Sequence, residues 1–398
     1  MKSIAEAKLK NKRVLVRVDY NVPLNEKFEV TDATRIARTV ATVNKITSEG
    51  GIALLMSHLG RPNGIVNEKF SLKHIITTAS EVLGKRVQFI GDVLDPETET
   101  KVKALQSGDV ALLENLRFHA EEEAGDLGFA QSIARLGDIY VNDAFGTAHR
   151  EHASTATITR FFPGKCYAGY LLYEETENLD NVLNNARPPF TAIIGGSKVS
   201  SKLNIIKFLL DKVDNLIIAG GMSYTFLHAI GVKIGNSLLE EEMIPVAKDI
   251  IKKAHLKGVD IYFPIDNICA DRYANDANIY ITKHNHIPDN WEGMDIGPKT
   301  IKKFAAIIKD SNTILWNGPV GVYEFPNFEN GTQSIALCVS VATLSGAFSL
   351  IGGGDSIAAL SNYKLTQFVS YVSTGGGAML EYLEGKELPG IKALKEDI

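Results

Sequence analysis

Basic side chains suited to binding anions follow several apolar segments in the first part of the chain. Each lies at or just beyond a predicted strand or helix start, where open α/β sheets bind their ligands. Arginine offers paired donors that match carboxylate and phosphate oxygens, so convergence of these residues would suit a small, multiply charged substrate such as a phosphorylated acid. The alternative for each arginine is a solvated surface position. The residues are Arg35, His58, Arg61, Arg117 and Arg150.

A carboxylate side chain, Asp19, and an amide side chain, Asn21, follow the apolar strand that contains Val14, Leu15 and Val16. At the end of a strand they would accept hydrogen bonds from substrate hydroxyls, although an Asx-turn is an equal alternative. Three histidines invite a metal interpretation, but they lack the compact Cys/His spacing of zinc sites, so we expect structural or substrate-neighbouring roles for them. They are His119, His149 and His152.

The second half of the chain carries glycine-rich strand ends instead. Lys198 follows the apolar run that ends at Gly196, and we predict that it opens a helix with Lys202 on the same face. Two lysines at the positive end of a helix would be compensated by a bound polyphosphate. The alternative is a pair of exposed lysines in the first turn of an ordinary helix.

A second glycine-rich turn, from Ile351 to Ser356, joins a predicted strand to a predicted helix. The amides of Gly354 and Ser356 would face phosphate, and Asp355 is a hard oxygen ligand suited to Mg²⁺, with a simple N-cap as its alternative. Neither a P-loop nor a G-x-G-x-x-G fingerprint occurs, so any nucleotide site is of another type. The H-R-D loop that activates a hydroxyl acceptor is also missing, and an anionic acceptor such as a carboxylate would need no general base.

The composition is that of an ordinary globular protein. A length of 398 residues favours two domains at roughly 100 to 200 residues each. The net charge of −5 and the pI near 6.0 argue against a general binder of nucleic acids or anionic membranes, which needs a broad positive field. Three scattered cysteines fit a reducing compartment, and the polar N-terminus is unlike a signal peptide, so we expect a cytoplasmic protein.

One uncharged run, from Gly331 to Gly354, is long enough to span a bilayer. Its serines, threonines and glycines argue against a membrane helix. We predict instead a buried helix that ends near Ser345 and a strand from Ala347 to Ile351.

Short apolar runs alternate with helical patterns along the whole chain, which is typical of βαβ units and a mainly parallel sheet. The pattern breaks once, at a charged helical segment that ends in two prolines, and then restarts. The predicted fold class is therefore α/β, with two doubly wound, Rossmann-like domains joined by a helical hinge. We place the first domain at residues 1–170, the hinge at 171–189, the second domain at 190–385 and a C-terminal segment at 386–398.

Nine motifs, in order along nearly the whole chain, resemble the phosphoglycerate kinase family. The resemblance implies reversible phosphoryl transfer between 1,3-bisphosphoglycerate and ADP, giving 3-phosphoglycerate and ATP with Mg²⁺, by a monomer whose domains close and whose C-terminal segment returns to the first domain. The motifs are RVDYNVP, SHLGRP, LLENLRFHAEEE, NDAFGTAHR, GGSKVSSK, IAGGM, WNGPVGVYEF, GGGDS and STGGGAMLEYLEGKELPG.

The resemblance also assigns site residues. The implied phosphoglycerate site comprises Asp19, Tyr20, Asn21, Arg35, His58, Leu59, Gly60, Arg61, Arg117 and Arg150. The implied nucleotide site comprises Lys198, Lys202, Gly220, Gly293, Asn317, Glu324, Gly353, Gly354, Asp355 and Ser356, with Asp355 on Mg²⁺ and Glu324 on the ribose. The implied catalytic residues are Arg35, Lys198, Lys202, Gly354 and Gly377.

A few residues depart from the family pattern, and Glu151 beside Arg150 is the most consequential, because a carboxylate that paired with this arginine would weaken its pull on phosphate. Two rival functions are a catalytically silent anion-binding protein and a nicotinamide-dependent oxidoreductase. The missing dinucleotide fingerprint disfavours the latter. The other departures are Tyr20, Ser197, Ser201, Ser356 and Met379.

Overall fold

A computed structural model describes residues 1–396, which form two compact units. The first unit comprises residues 1–177 together with the chain from Glu387 onward, and the second comprises residues 178–386. The last two residues of the predicted C-terminal segment lie outside the described part. Within that part, no helix combines the length and the apolar character that a membrane crossing requires.

The first unit is built on a six-stranded parallel sheet with the strand order β3-β4-β2-β1-β5-β6. All five residues of the second strand are buried, which shows that both faces of the sheet are covered, as parallel sheets require. The strands are β1 (Arg13–Arg17), β2 (Ile52–Met56), β3 (Val87–Gly91), β4 (Val110–Leu113), β5 (Ile139–Asn142) and β6 (Cys166–Ala168).

The helical pattern after the first strand forms two helices rather than one. The hydroxyl of Thr39 donates to the carbonyl of Ile36 at 2.8 Å and also pairs with the hydroxyl of Tyr20, so the helix is interrupted there. The first seven helices are α1 (Thr34–Ala37), α2 (Val40–Ser48), α3 (Ile76–Leu83), α4 (Thr98–Lys103), α5 (Ala120–Glu123), α6 (Leu127–Ala134) and α7 (Tyr170–Leu183).

The second unit contains a six-stranded parallel sheet, ordered β15-β14-β13-β7-β8-β9, and a small antiparallel sheet, ordered β11-β10-β12, that the sequence pattern did not reveal. Its strands are β7 (Phe190–Ile194), β8 (Asn215–Ile218), β9 (Asp260–Tyr262), β10 (Asn267–Ala270), β11 (Ile279–Ile281), β12 (Glu292–Ile296), β13 (Thr313–Asn317), β14 (Phe348–Gly352) and β15 (Tyr371–Ser373).

Eight further α-helices lie within the part of the chain that the structure describes. The uncharged run from Gly331 to Gly354 is a helix followed by a strand, as predicted, and α7 crosses the boundary between the two units. The helices are α8 (Leu203–Leu209), α9 (Met222–Ala229), α10 (Ile244–Lys257), α11 (Pro298–Lys309), α12 (Asn330–Leu344), α13 (Gly354–Asn362), α14 (Gly377–Leu383) and, in the first unit, α15 (Pro389–Glu396).

Both parallel sheets reverse their strand order beside the first strand of the unit. In the first unit β1 pairs with β2 on one side and β5 on the other, and in the second unit β7 lies between β8 and β13. Ligands of doubly wound sheets bind at the carboxyl ends of strands at such a switch point. The two doubly wound units confirm the predicted fold class, and each one provides such a crevice.

A buried carboxylate fastens the start of α7 to the first sheet. Asp143 directly follows β5, and its Oδ1 accepts hydrogen bonds from the backbone amides of Leu171 at 2.9 Å and Leu172 at 3.2 Å. Gly169 makes room for it, since a Cβ there would lie 2.2 Å from Oδ1. Complete burial raises the pKa of Asp143 from 3.8 to about 6.

This raised pKa makes a prediction about stability. The protonated carboxyl is favoured in the folded state, so its contribution is complete below about pH 3.8 and is lost as the pH rises through about 6. We expect Asp143→Asn to remove that part of the pH dependence, which amounts to about 2 to 3 kcal/mol in the free energy of unfolding between the two pKa values. Urea unfolding at a series of pH values measures it. The exposed Asp310→Asn is the control. If the unfolding free energy of Asp143→Asn depended on pH as steeply as that of the wild-type protein, the prediction would be contradicted.

Candidate functional site

Several of the predicted anion-binding residues of the first unit lie just after strand ends, at one edge of its sheet. Asp19 and Asn21 follow β1, while His58 and Gly60 follow β2. Arg117 lies in a 3-10 turn that follows β4. Because β1, β2 and β4 are neighbours in a parallel sheet, their carboxyl ends lie side by side.

Direct contacts connect these residues. Arg35 NH1 forms an ion pair with Asp19 Oδ2 at 2.9 Å, although two-fifths of the arginine side chain remains exposed. The amide of Gly60 donates to Asn21 Oδ1 at 2.8 Å, and its carbonyl accepts from Arg117 NH1 at 3.1 Å. The predicted cluster therefore exists for Asp19, Asn21, Arg35, Gly60 and Arg117.

His58 is buried among positive charges. Burial lowers the pKa of His58 well below 6.5, and the charges of Arg17, Arg117 and Arg35 lower it further. The imidazole is therefore neutral at physiological pH. It can donate or accept a hydrogen bond but adds no charge to the cluster.

The other predicted residues of this site lie differently. Tyr20 is fully buried and its hydroxyl pairs with Thr39, so the side chain belongs to the core. Arg61 and Arg150 are exposed. Among the described residues Arg150 forms no ion pair with Glu151, so the charge of Arg150 is not neutralised by its neighbour in this structure.

The three candidate metal histidines have other surroundings. His119 Nε2 lies 2.8 Å from Asp92 Oδ2, and this pair raises the pKa of His119. Burial lowers the pKa of His152 to about 4, helped by the charges of Arg117 and Arg17. Across residues 1–396 no three His, Cys, Asp or Glu side chains are grouped so that they could hold a metal ion.

In the second unit the site is made largely of backbone. Gly195 directly follows β7 and Gly318 directly follows β13, and the amide of Gly195 donates to the carbonyl of Asn317 at 2.9 Å. A Cβ on Gly195 would lie 2.1 Å from the carbonyl oxygen of Pro319. Only glycines allow two chain segments to approach so closely.

Side chains then connect the segments that follow β7 and β13 to the end of the neighbouring strand, β14. The ammonium group of Lys202 donates to Asn317 Oδ1, and Asn317 Nδ2 donates to the carbonyl of Gly352 at 2.8 Å. The hydroxyl of Ser356 accepts from the amide of Gly318 at 2.6 Å. Burial lowers the pKa of Lys202, opposed by Asp355. Lys202, Asn317 and Ser356 are thus brought together as predicted.

The predicted helix start at Lys198 is wrong. α8 begins at Leu203, and residues 198–202 form a turn. Glu240 causes this, because its carboxylate accepts the amides of Val199 at 2.5 Å and Ser200 at 3.3 Å, as well as the hydroxyl of Ser200. Lys198 is exposed and does not share a helical face with Lys202.

The helix α13 presents free amides at its N-terminus. Its N-cap is Gly353, at φ +92°, and no side chain caps the first turn, so the N-cap alternative for Asp355 is wrong. Asp355 lies exposed in the first turn. Because Gly352 pairs with Ser373 across β14 and β15, the turn that precedes Gly377 lies beside this helix start.

A cavity of about 510 Å³ adjoins these strand ends. Gly220, Gly293, Glu324 and Asp355, four of the predicted nucleotide-site residues, line it. Part of the lining is apolar, including Leu238, which suits the combination of a planar base and polar phosphates.

Several residues that build these sites were missed from the sequence. Asn115, which is buried, donates to the carbonyl of Leu59 at 2.7 Å and accepts from the amide of Arg117 at 3.1 Å, so it joins the β2 and β4 loops. Glu240 plays the corresponding part for the Lys198 turn. Arg17, which directly follows the apolar residues Val14 to Val16 at the end of β1, was the one visible signal, because an arginine is seldom fully buried without a partner.

The close approach of the segments that follow β7 and β13 allows a controlled substitution. Gly318 and Gly346 both have positive φ, +99° and +105°, but a Cβ at Gly318 would lie 2.2 Å from the carbonyl of Gly195 while Gly346 faces open space. We expect Gly346→Ala to cost about 1 kcal/mol through strain alone. Gly318→Ala should cost more, because its Cβ would push the two backbone segments apart, and it should weaken ADP binding by about tenfold if these strand ends bind phosphate as the sequence predicts. Urea unfolding measures the loss of stability, and titration with ADP measures the loss of affinity. If the two variants lost the same stability and the same affinity, the prediction would be contradicted.

Comparisons with known proteins agree with this geometry. The family model for phosphoglycerate kinase matches residues 4–386. A phosphoglycerate kinase from Porphyromonas gingivalis is 48% identical over 99% of this chain and 100% of its own, and a cytosolic one from Nicotiana tabacum is 47% identical over 99% and 98%.

Solved structures give the same result. The structure of phosphoglycerate kinase from Coxiella burnetii superimposes with a TM-score of 0.91 at 40% identity, covering 99% of this chain and 98% of that one. The enzyme from Pyrococcus horikoshii gives 0.84 at 28% identity, covering 100% and 99%. With a matching family model over nearly its full length, this chain belongs to the phosphoglycerate kinase family.

Proposed function

We propose that this protein catalyses reversible transfer of a phosphoryl group from 1,3-bisphosphoglycerate to ADP, giving 3-phosphoglycerate and ATP, as a step of glycolysis and gluconeogenesis. The observation that carries the proposal is the cluster of Arg35, His58 and Arg117 at the switch point of the first sheet, in a chain of this family. Arg35 pairs with Asp19 and Arg117 pairs with Glu123, so the positive excess comes from the exposed Arg61 and Arg150, for which the described residues show no ion pair. That excess suits a ligand with several negative charges.

The proposed phosphoglycerate site uses each side chain for a distinct contact. Arg35 and Arg117 would bind carboxylate or phosphate oxygens, and Arg61 and Arg150 would supply further positive charge from exposed positions. Asp19 and Asn21 would accept the hydroxyl hydrogen of the substrate, while they also hold Arg35 and the amide of Gly60 in place.

The proposed nucleotide site relies on the second unit. The phosphates would lie against the free amides at the start of α13 and near the turn at Gly377, where backbone dipoles favour anions. The base and ribose would occupy the cavity beside Gly293 and Glu324.

The residues present fit a Mg²⁺ ion that arrives with the nucleotide. Asp355 is an exposed carboxylate with no ion pair in the described chain, and proteins often hold Mg²⁺ by one or two carboxylates together with substrate phosphates. When bound, the ion would neutralise charge on the phosphate oxygens.

The chemistry requires positioning and charge rather than a base. Both acceptors, the carboxylate of 3-phosphoglycerate and the β-phosphate of ADP, are already anionic, and neutral His58 is not required to remove a proton. Lys198 would follow the phosphoryl group, with Lys202 and Gly354 stabilising the charge that develops. We further propose in-line transfer after the two domains close around the substrates and exclude water.

The remaining assignments are also proposals. We expect a cytoplasmic monomer that binds neither nucleic acids nor membranes, which its acidic composition supports. We assign residues 1–170 and the C-terminal segment to the phosphoglycerate domain and residues 190–385 to the nucleotide domain.

Substitution of Lys198 tests the proposed function. We expect Lys198→Ala to lower kcat by about 100-fold or more, because a cation that acts on the transferring group is lost, while affinity for 3-phosphoglycerate stays nearly constant. A coupled assay of ATP-dependent turnover and a titration with 3-phosphoglycerate measure the two effects. Lys207→Ala, an exposed lysine on α8, is the matched control.

Unchanged turnover in Lys198→Ala would overturn the role of Lys198. Absence of magnesium-dependent turnover in the wild-type protein would overturn the proposed function itself and leave a silent anion-binding protein.

A further inference from the structure

A buried arginine stands behind the cation cluster of the first unit without lining it. Arg17 is the last residue of β1 and is 0% exposed. Each of its three guanidinium nitrogens has a partner: Nε donates to Ser154 Oγ at 2.9 Å, NH1 to the carbonyl of Val18, and NH2 lies 3.3 Å from His58 Nδ1. Its side chain is therefore occupied by contacts within the protein.

A buried acid supplies the counter-charge for this arginine. Glu122, on α5, is also 0% exposed, and it accepts the hydroxyl of Ser154 at 2.5 Å and the amide of Ser154 at 3.0 Å. Ser154 thus accepts from Arg17 and donates to Glu122 with one hydroxyl. Such a chain satisfies two buried charges that would be costly alone and holds the guanidinium in one orientation.

The contact with Arg17 decides where the proton of His58 lies. A guanidinium carries only donors, so the imidazole nitrogen that faces it must be the unprotonated one. In the neutral ring the proton then belongs to Nε2, the nitrogen that does not face Arg17. Asp19 Oδ1, at 3.9 Å from Nδ1, is too distant to reverse this choice and its carboxylate instead pairs with Arg35.

We propose that Arg17 is a positioning residue that fixes His58 as the Nε2–H tautomer, so that His58 presents a hydrogen-bond donor to an anionic substrate. The inference rests on the proposed function for the identity of that substrate, 3-phosphoglycerate. The opposite tautomer would direct a lone pair of Nε2 at carboxylate or phosphate oxygens, which only accept. The charges and polar groups that face His58 agree with a neutral ring, since Arg17, Arg117, Arg35 and His152 all lower its pKa.

The tautomer can be observed directly in the full-length protein without any substrate. Long-range ¹H–¹⁵N correlation spectra of the histidine rings distinguish Nδ1–H from Nε2–H. We expect wild-type His58 to show Nε2–H and to remain neutral at pH values below the ordinary histidine pKa of about 6.5, because burial and the surrounding arginines lower its pKa. An Nδ1–H tautomer in the wild-type spectrum would overturn the inference whether or not any variant folds.

Variants test the part played by Arg17. Arg17→Met should produce a mixture of tautomers at His58 and raise the KM for 3-phosphoglycerate by about 10- to 100-fold, with much less change in kcat, as expected for loss of one hydrogen bond to a charged group. Arg17→Lys keeps a cation that can only donate, so it should retain the Nε2–H signature. Arg13→Met, at the other end of β1, is the matched control and should change neither His58 nor KM.

If His58 in Arg17→Met were entirely the Nε2–H tautomer, as expected for the wild-type protein, the positioning role of Arg17 would be overturned. If Arg17→Met does not fold, the wild-type and Arg17→Lys spectra decide the question, and loss of the Nε2–H signature in folded Arg17→Lys would count against it. A confirmed tautomer in a protein without phosphoglycerate turnover would reject the proposed function while leaving the Arg17 contact established.

Discussion

Charge imbalance at the carboxyl edge of the first sheet is the constraint on which this structure depends. Arg17, Arg35 and Arg117 converge there, and mutual repulsion among cations would oppose folding if each were left without a partner. Acids reduce that cost: Asp19 pairs with Arg35, Glu123 pairs with Arg117, and Glu122 is connected to Arg17 through a serine. The exposed Arg61 and Arg150 remain as the positive excess. The cluster still keeps exposed guanidinium surface, which an anionic ligand would satisfy.

The same imbalance explains why a neutral histidine lies among arginines. A charged imidazole would add to the repulsion, and burial together with its neighbours keeps the pKa of His58 low. The histidine therefore contributes direction instead of charge. In the proposed reaction, orientation of this kind matters because transfer between two anionic groups is limited by positioning and by charge stabilisation.

The proposed phosphate site of the second unit is built in another way. Glycines at the ends of β7, β13 and β14 allow strands to approach so closely that backbone amides and carbonyls form the surface. The few side chains present, such as Lys202 and Asn317, connect adjacent strand ends. In the proposed site, backbone amides at the start of α13 would attract phosphate without the long, flexible side chains that the proposed site of the first unit would use.

Much of the fold could be predicted from the sequence, because buried parallel strands are continuous apolar runs and their helices alternate with them. The small antiparallel sheet was not predicted, since β11 is three residues long and exposed. Strand ends indicated that Asp19, His58 and Arg117 would lie at one edge of the sheet, because neighbouring parallel strands end side by side, and their role in binding stays a prediction.

Contacts between distant parts of the chain explain what the sequence did not reveal. The helix predicted at Lys198 starts five residues later, because Glu240, more than forty residues away, binds the amides of the intervening turn. Tyr20 sits within a site motif, yet its side chain points to the core and bonds Thr39. Local propensity and motif matching contain no information on such partners.

The central claim is that two different anion sites, one in each unit, bind the two substrates. A crystal structure of the full-length protein with both 3-phosphoglycerate and ADP tests it most directly. The account predicts 3-phosphoglycerate within hydrogen-bonding distance of Arg35 and Arg117, and the ADP phosphates against the amides at the start of α13. Binding of both ligands to one unit, or of 3-phosphoglycerate away from these arginines, would contradict it.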